Sequence, residues 1–218
     1  MPYFPLYINI EEKDILIVGG GKVALRKCEK LLYFKPHIHI VAPDICDELA
    51  ALSYKYRTAS AENASEISIY SRAFSEKDLN DKALCIAASN DNILNQHISR
   101  LCRDMSIPVN VVDCPELCTF FFPALINDGE LSVGISTSGK SPVAASELKN
   151  LISDALPENI GDIISYMGAV RPRIIELIPD MKKRSEALTK IYSKCLLKHG
   201  ALDLAELEEI LAAYIKKL

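Results

Sequence analysis

The chain has 218 residues, of which 49% are hydrophobic and 25% are charged, and its formal net charge is -4. This is enough apolar material for one good core and a smaller appended unit. The negative charge argues against a general nucleic-acid-binding protein, since such proteins gather a basic excess on one face. No apolar run approaches the length of a membrane span.

Cysteine usage and the first residues indicate the compartment. The seven cysteines are odd in number and scattered, which favours reduced thiols over a disulfide framework. Cys28 and Cys85 fall in apolar periodic runs and are expected in the core. The N-terminus lacks the charged and apolar regions of a secretion signal. We therefore expect a cytoplasmic protein that contacts neither membrane nor nucleic acid.

The first predicted elements surround a glycine turn. Residues 6–10 are predicted to form a short edge strand, residues 15–18 a buried strand, and residues 22–33 a helix. The spacing G-x-G-x-x-A begins at Gly19: the first glycine permits the turn, Gly21 lets the backbone approach a pyrophosphate, and the small Ala24 lets the helix pack closely. The helix N-terminus offers N–H groups and a positive dipole end to that anion. The pattern predicts dinucleotide binding, with a purely structural turn as the alternative.

A second predicted strand, residues 37–42, completes a βαβ unit. In many dinucleotide folds an acid at the tip of this strand holds the adenosine ribose. Asp44 stands a residue or two late, behind Pro43, so it either holds the ribose or caps the next helix. No arginine stands at the tip, which favours NAD over NADP.

The strands that follow bring polar residues to the same sheet edge. Strands are predicted at 67–70, 84–88 and 109–113, and a short helix with a capping box begins at Ser75. Ligands of parallel sheets bind at the carboxyl ends of the strands, so the loop of Ala88, Ser89 and Asn90 is a candidate cofactor neighbour. The alternative is that Ser89 or Asn90 caps the helix predicted at 93–105. Asp113 ends the last strand as either a functional carboxylate or a turn former.

The second half of the chain changes character. A β-hairpin is predicted from alternating residues 119–126 and 131–136 around a turn at 127–129, and its exposed aromatic row is a natural dimer surface. Helices are predicted at 143–156, 160–178, 182–199 and 204–218.

Three further signals have alternative interpretations. Residues 134–141 match the phosphate-loop pattern G-x-x-x-x-G-K-[ST], but the helical remainder supplies no strand for a nucleotide hydrolase, so an anion site or a helix start remains. Cys114 and Cys118 lack a second pair at ligand spacing, and no metal site is expected. The basic cluster around Arg171 is either a solvated face or a rim for an anionic substrate.

Taken together, the ordered motifs closely resemble precorrin-2 dehydrogenase, the NAD-dependent module of siroheme synthases. The motifs that carry the resemblance are Phe4-Pro5-Leu6-Tyr7, Val18 to Ala24 with Arg26-Lys27, Val41-Ala42-Pro43, Ala87 to Asp91 with Leu94-Asn95, Asn110 to Asp113, and Ser136 to Pro142.

The resemblance implies an α/β fold: a Rossmann-type parallel sheet domain (1–113), a small β-hairpin dimerisation domain (114–142) and a helical C-terminal domain (143–218). It implies oxidation of precorrin-2 to sirohydrochlorin with hydride passing to NAD, in a homodimer. Some members also insert ferrous iron. A non-catalytic NAD-binding redox-sensing or partner module is the alternative.

The resemblance also assigns residues. Lys22, Val23, Pro43 and Asp44 match cofactor positions, and Asp113 matches the catalytic acid/base. Thr137 stands where some members have an active-site serine, and Ser138 replaces a frequent glycine. The substrate's carboxylates require cations, for which the physical candidates are Lys140, Lys149, Arg171 and Arg173.

Overall fold

In the computed structural model, which describes residues 3–58 and 65–215, five parallel strands form the first sheet. The strands are β1 (Asp14–Val18), β2 (His37–Ala42), β3 (Glu66–Ser71), β4 (Leu84–Ala87) and β5 (Val109–Val111), in the order β3-β2-β1-β4-β5. They alternate with helices α1 (Lys22–Leu32), α2 (Asp47–Thr58) and α3 (Asn92–Asp104). Short 3-10 helices cover Glu76–Leu79 and Pro115–Leu117. The predicted Rossmann-type sheet is confirmed.

Strand β1 lies at the centre of this sheet and buries both of its faces. Ile15 and Ile17 pack into a core with Cys28 and Leu31 of α1. Leu16 and its neighbour Val18 pack on the opposite side with Ile98 and Cys102 of α3. Successive strand side chains point to opposite faces, so an uninterrupted apolar run is what a strand covered on both sides requires.

The second part of the chain combines a hairpin with helices. The antiparallel strands β6 (Ala124–Asp128) and β7 (Leu131–Ile135) precede α4 (Pro142–Ala155), α5 (Ile160–Leu177), α6 (Met181–Lys198) and α7 (Leu204–Ala212). Helices α5 to α7 share an apolar core that includes Ile163, Ile191 and Leu211. The chain divides into two compact units between Phe122 and Pro123, with the hairpin in the same unit as the helices. The three-part division at 113 and 142 stays a prediction.

The hairpin turn holds the start of α5. The Gly161 N–H donates a hydrogen bond to Asp128 Oδ2 at 3.1 Å. A Cβ at Gly161 would lie 2.5 Å from the Asp128 carbonyl oxygen, so only glycine allows this approach. The N-cap Asn159 makes no side-chain capping bond, so the Asp128 carboxylate provides the anion that favours a helix N-terminus.

Two predicted features are wrong. Residues 6–10 form no strand: Leu6, Tyr7 and Ile8 are exposed, and only Ile10 reaches the core. The aromatic row is also not part of the hairpin. Phe120 and Phe122 pack into the core beneath α1, and the ring between them, Phe121, packs into the core beneath α3.

The predictions for the cysteines and for the phosphate-loop pattern agree with the structure. Cys28 and Cys85 are fully buried, and all seven cysteines are free thiols. The phosphate-loop pattern leads into α4 as a helix start, where Ser141 is the N-cap and accepts a hydrogen bond from the Ala144 N–H at 3.1 Å. The last helix ends at Ala212, earlier than predicted, and residues 216–218 lie outside the described part of the chain. No helix among the described residues is long and apolar enough to cross a membrane.

Candidate functional site

The first glycine of the turn is required by the backbone. Gly19 has φ +132°, which side-chain-bearing residues rarely adopt. Its N–H donates to the Val41 carbonyl at 3.0 Å, and a Cβ there would lie 2.3 Å from the Ala88 carbonyl oxygen. The turn therefore contacts the ends of both β2 and β4, and glycine at this position permits the tight turn, as predicted.

The middle glycine, Gly20, is a residue that the motif leaves open but the structure requires. A Cβ at this position would lie 2.0 Å from the Asp44 carbonyl oxygen. The Gly20 carbonyl in turn accepts a hydrogen bond from the Cys46 N–H at 2.8 Å. The run of three glycines was the only sequence signal for this close contact between two loops.

Gly21 differs from both, because it faces open space. It is exposed, and no atom lies within 4 Å of the position its Cβ would take. As N-cap of α1 it supplies no side-chain cap, so the first N–H groups of the helix, beginning at Lys22 and Val23, are not capped by it. An uncapped helix start beside open space fits a pyrophosphate group.

The loop after β2 carries Pro43 and Asp44, both exposed. Helix α2 begins only at Asp47, so Asp44 is not the residue that precedes it. The capping alternative for Asp44 is therefore wrong, while the ribose alternative stays a prediction.

The loop after β4 is ordered by a buried side chain. Ser89 Oγ donates to Asn95 Oδ1 at 2.7 Å, and Asn95 Nδ2 donates to the Ser89 carbonyl at 2.9 Å. Asn95 is buried on α3. The N-cap of α3 is Asp91, which accepts hydrogen bonds from Ile93 and Leu94. The prediction that Ser89 or Asn90 caps this helix is wrong, because Asn95 and the loop backbone engage the Ser89 hydroxyl.

Asp113 lies in a tight turn two residues beyond the end of β5, where the prediction had extended the strand. It is exposed and has φ +59°, a conformation that aspartate tolerates better than most residues. The preceding Val112 N–H donates to the Ala87 carbonyl at 3.0 Å. Val18, Ala87 and Val111 are register partners in neighbouring strands. The glycine turn, the Ser89 loop and Asp113 thus emerge at one edge of the sheet, as predicted.

The segment that follows, residues 114–122, forms a strap along the outer edge of β5. The Val109 N–H donates to Thr119 Oγ1 at 2.7 Å, and the buried Asn110 side chain donates to the Phe120 carbonyl at 3.1 Å. Cys118 Sγ accepts from the Val111 N–H at 3.2 Å. These bonds pair the edge strand and fix the Asp113 turn at its start.

Lys27 on α1 also lies against this strap, and neither the glycine motif nor the strand pattern indicated a role for it. Its Nζ lies 4.1 Å from the centroid of the Phe122 ring. Burial, and then the charge of Lys30, lowers the pKa of the Lys27 ammonium to about 8, while Cys118 and Asp113 act in the opposite direction.

The remaining candidates belong to the second unit. Thr137 Oγ1 donates to the Ser141 carbonyl at 3.0 Å, and Lys140 is exposed in the same loop. Arg171 is exposed on α5, and Arg173 pairs with Glu208 of α7. The grouping of these residues around a substrate stays a prediction. Among the described residues, no cluster of three His, Cys, Asp or Glu side chains is arranged for a metal ion.

Comparisons with known proteins agree with this architecture. A family model described as NAD(P)-binding matches residues 6–124, and one described as sirohaem biosynthesis protein central matches residues 128–155. The siroheme synthase of Thioalkalivibrio sulfidiphilus is 39% identical over 184 residues, 84% of this chain and 36% of its own. That of Zymomonas mobilis is 33% identical over 218 residues, 100% of this chain and 44% of its own.

A solved structure, SirC, precorrin-2 dehydrogenase, superposes with a TM-score of 0.67 at 22% identity and covers 97% of this chain and 98% of its own. This likeness shows the fold. The chain spans 36% of the length of the first of these siroheme synthases. With a family model matching more than half of its residues, the chain belongs to the NAD(P)-binding family that this model describes, and its first unit is an NAD(P)-binding domain.

Proposed function

We propose that this chain oxidises precorrin-2 to sirohydrochlorin with NAD, in the synthesis of siroheme or a related tetrapyrrole. The observation that carries the proposal is the meeting, at one sheet edge, of an open glycine turn and the Asp113 carboxylate. The spacing of β1, β4 and β5 separates these two features by two strand intervals, about 10 Å. The siroheme synthase relatives supply the substrate class.

NAD is the proposed cofactor, and it supplies hydride acceptance. Gly21, Lys22 and Val23 hold the pyrophosphate at the start of α1. Asp44, behind Pro43, receives the ribose hydroxyls, and no arginine stands at this strand tip to favour a 2′-phosphate. Ala88, Ser89 and Asn90 line the neighbouring loop, which Asn95 keeps in place.

Asp113 acts as the catalytic base. Oxidation of the macrocycle removes two electrons and one hydrogen as hydride, and the accompanying proton must leave the substrate. A carboxylate at the exposed tip of a fixed turn accepts that proton, so the products are sirohydrochlorin, the reduced cofactor and one proton.

Thr137, Lys140 and Arg171 are the proposed contacts to the substrate's polar groups. Ferrous iron insertion into the product is a second proposed step, with iron as substrate.

The chain is proposed to work as a homodimer through the second unit. Helix α4 buries none of its residues, and its Val143, Leu148 and Leu151 side chains are 72%, 44% and 64% exposed. An amphipathic helix needs an apolar partner for such a face. Leu151→Glu is expected to shift the chain to a monomer in light scattering, while Leu197→Glu, at an even more exposed apolar position on α6, leaves the mass unchanged. A monomeric wild-type chain would contradict this.

Seven free thiols support a reducing compartment such as the cytoplasm.

The test of the function is an anaerobic assay with enzymatically generated precorrin-2 and NAD, following NADH and the tetrapyrrole spectrum. Wild-type protein is expected to form sirohydrochlorin, and Asp113→Ala to lose the activity. Asp81→Ala is the matched control, because Asp81 is also exposed at positive φ but precedes β4, at the opposite edge of the sheet. NAD binding without turnover would favour a redox-sensing or partner module instead.

A further inference from the structure

Lys27 has an unusual position for a lysine. It is half-buried on the second turn of α1, with its ammonium over the Phe122 ring at 4.1 Å. Within residues 3–58 and 65–215, no carboxylate pairs with it and no atom accepts a hydrogen bond from its Nζ. An ammonium that has left much of its water is normally paired. Its three N–H donors are therefore available to a ligand.

The surroundings of Lys27 define the charge of that ligand. Arg26 and Lys30 on the same helix add positive charge, whereas Cys118 of the strap and Asp113 of the preceding turn act on the pKa of Lys27 in the opposite direction. Burial is the largest cause of the lowered pKa, so an anion that approaches the ammonium gains from its poor hydration. The charge of Asp113 acts on Lys27, so this anion site lies within electrostatic range of the proposed proton acceptor.

The position of Lys27 distinguishes two kinds of anion. Lys27 lies five residues beyond Lys22, a rise of about 7.5 Å along α1 from the helix start where the pyrophosphate is expected. Its ammonium contacts the strap residue Phe122. A carboxylate of the substrate fits this location better than a cofactor phosphate.

We propose that Lys27 binds a carboxylate of the polycarboxylate tetrapyrrole substrate and thereby positions the substrate beside Asp113. The inference rests on the proposed function. It adds a substrate-binding residue in the first unit to those proposed in the second, and it gives the reaction a specific dependence on pH.

The charged form of Lys27 is the one that binds. Because its pKa is lowered to about 8, kcat/KM for precorrin-2 is expected to fall above this pH. Lys27→Gln should raise KM for precorrin-2 about 10-fold to 100-fold, as loss of a charged hydrogen bond does, and leave the Kd of NAD unchanged. Lys27→Arg should retain binding and lose the decline above pH 8, since arginine stays charged.

Lys30→Gln is the matched control on the same helix. Lys30 is exposed, and its charge lowers the pKa of Lys27. The control is expected to keep the wild-type KM at pH 7 and to move the decline to higher pH. If Lys27→Gln folds poorly by circular dichroism, the profiles of Lys27→Arg and Lys30→Gln still decide the question.

A second measurement separates this inference from the proposed function. Equilibrium binding of sirohydrochlorin, followed by its absorbance, requires no turnover. Tight, pH-dependent binding by wild-type protein that is lost in Lys27→Gln supports the site even where precorrin-2 is not oxidised. Equal binding by both proteins, no binding by wild type, or a weakened Kd for NAD in Lys27→Gln would overturn the inference.

Discussion

The two units of the chain bury their apolar residues to different degrees. In the first unit, β1, β4 and β5 are covered on both faces and the glycine turn is fixed by contacts with two neighbouring loops. In the second, α5 to α7 share a core, but the hairpin strands are mostly half-buried and α4 buries nothing. The first unit has the closed core expected of a cofactor-binding scaffold. The second exposes apolar side chains on α4, the surface that the proposed dimer would cover.

This difference indicates where each unit is sensitive to substitution. The first unit depends on close backbone approaches, because its parallel sheet brings loops together at one edge. Among its described residues, the second has a close backbone approach between the hairpin turn and the start of α5. Substitutions of glycine therefore test directly whether the two units differ in their dependence on close backbone contacts.

The largest effect is expected from Gly20→Ala. The added Cβ would meet the Asp44 carbonyl oxygen at 2.0 Å, so the two loops must separate. We expect a loss of about 3 kcal/mol in the free energy of unfolding of the first unit, and loss of NAD binding. Urea unfolding and calorimetric titration measure the two quantities. Wild-type stability in this variant would show that the loops are not held together.

Gly161→Ala is expected to act on the second unit, by about 2 kcal/mol, since its Cβ would lie 2.5 Å from the Asp128 carbonyl oxygen. Gly168→Ala, within the same helix, has no atom within 4 Å and should stabilise α5 by about 1 kcal/mol. Hydrogen exchange resolved by unit measures both. If Gly161→Ala and Gly168→Ala change the free energy of unfolding in the same direction, the close approach at Gly161 is not what sets the stability of the second unit.

A smaller effect is expected at Asp78 in the first unit. Arg72 holds the pKa of this carboxyl below its usual value through two hydrogen bonds of 2.8 and 2.6 Å, and the Ser75 N–H also donates to it. Because the folded-state pKa is lowered, the contribution is present above the unfolded pKa of about 3.9 and is lost as pH falls through the folded value.

Asp78→Asn should therefore cost about 1 kcal/mol at pH 7, a modest value because Arg72 is exposed. Once the pH falls below the lowered folded-state pKa of Asp78, the variant and the wild type should converge. Chemical denaturation at both pH values measures the difference. A constant difference at both would show that the charge of Asp78 is not involved.

The sequence predicted most of the sheet because its strands are nearly continuous apolar runs. Strand β2 has the predicted bounds, His37–Ala42. Residues 6–10 show a similar pattern, but they have no neighbouring strand, and propensity alone does not form a sheet. Phe120 and Phe122 look like part of the hairpin in sequence. Hydrogen bonds between β5 and the strap place them in the first unit instead.

The candidate site was predictable where it depends on chain position and not where it depends on packing. Gly19 and Asp113 follow strand ends, so the sheet edge on which they lie follows from the strand order. The roles of Gly20, Asn95 and Lys27 come from contacts between segments distant in sequence. No local pattern specifies such contacts.

In the proposed reaction the glycine turn binds the cofactor, while Asp113 accepts the proton. The most direct test measures NAD affinity by calorimetry and precorrin-2 turnover, in Gly21→Ala and Asp113→Asn. Gly21→Ala should fold normally, since its Cβ meets nothing within 4 Å, and lose NAD affinity. Asp113→Asn should keep that affinity and lose turnover by about 10²-fold to 10⁴-fold. Wild-type turnover in Asp113→Asn, or loss of NAD binding in both variants, would contradict the claim.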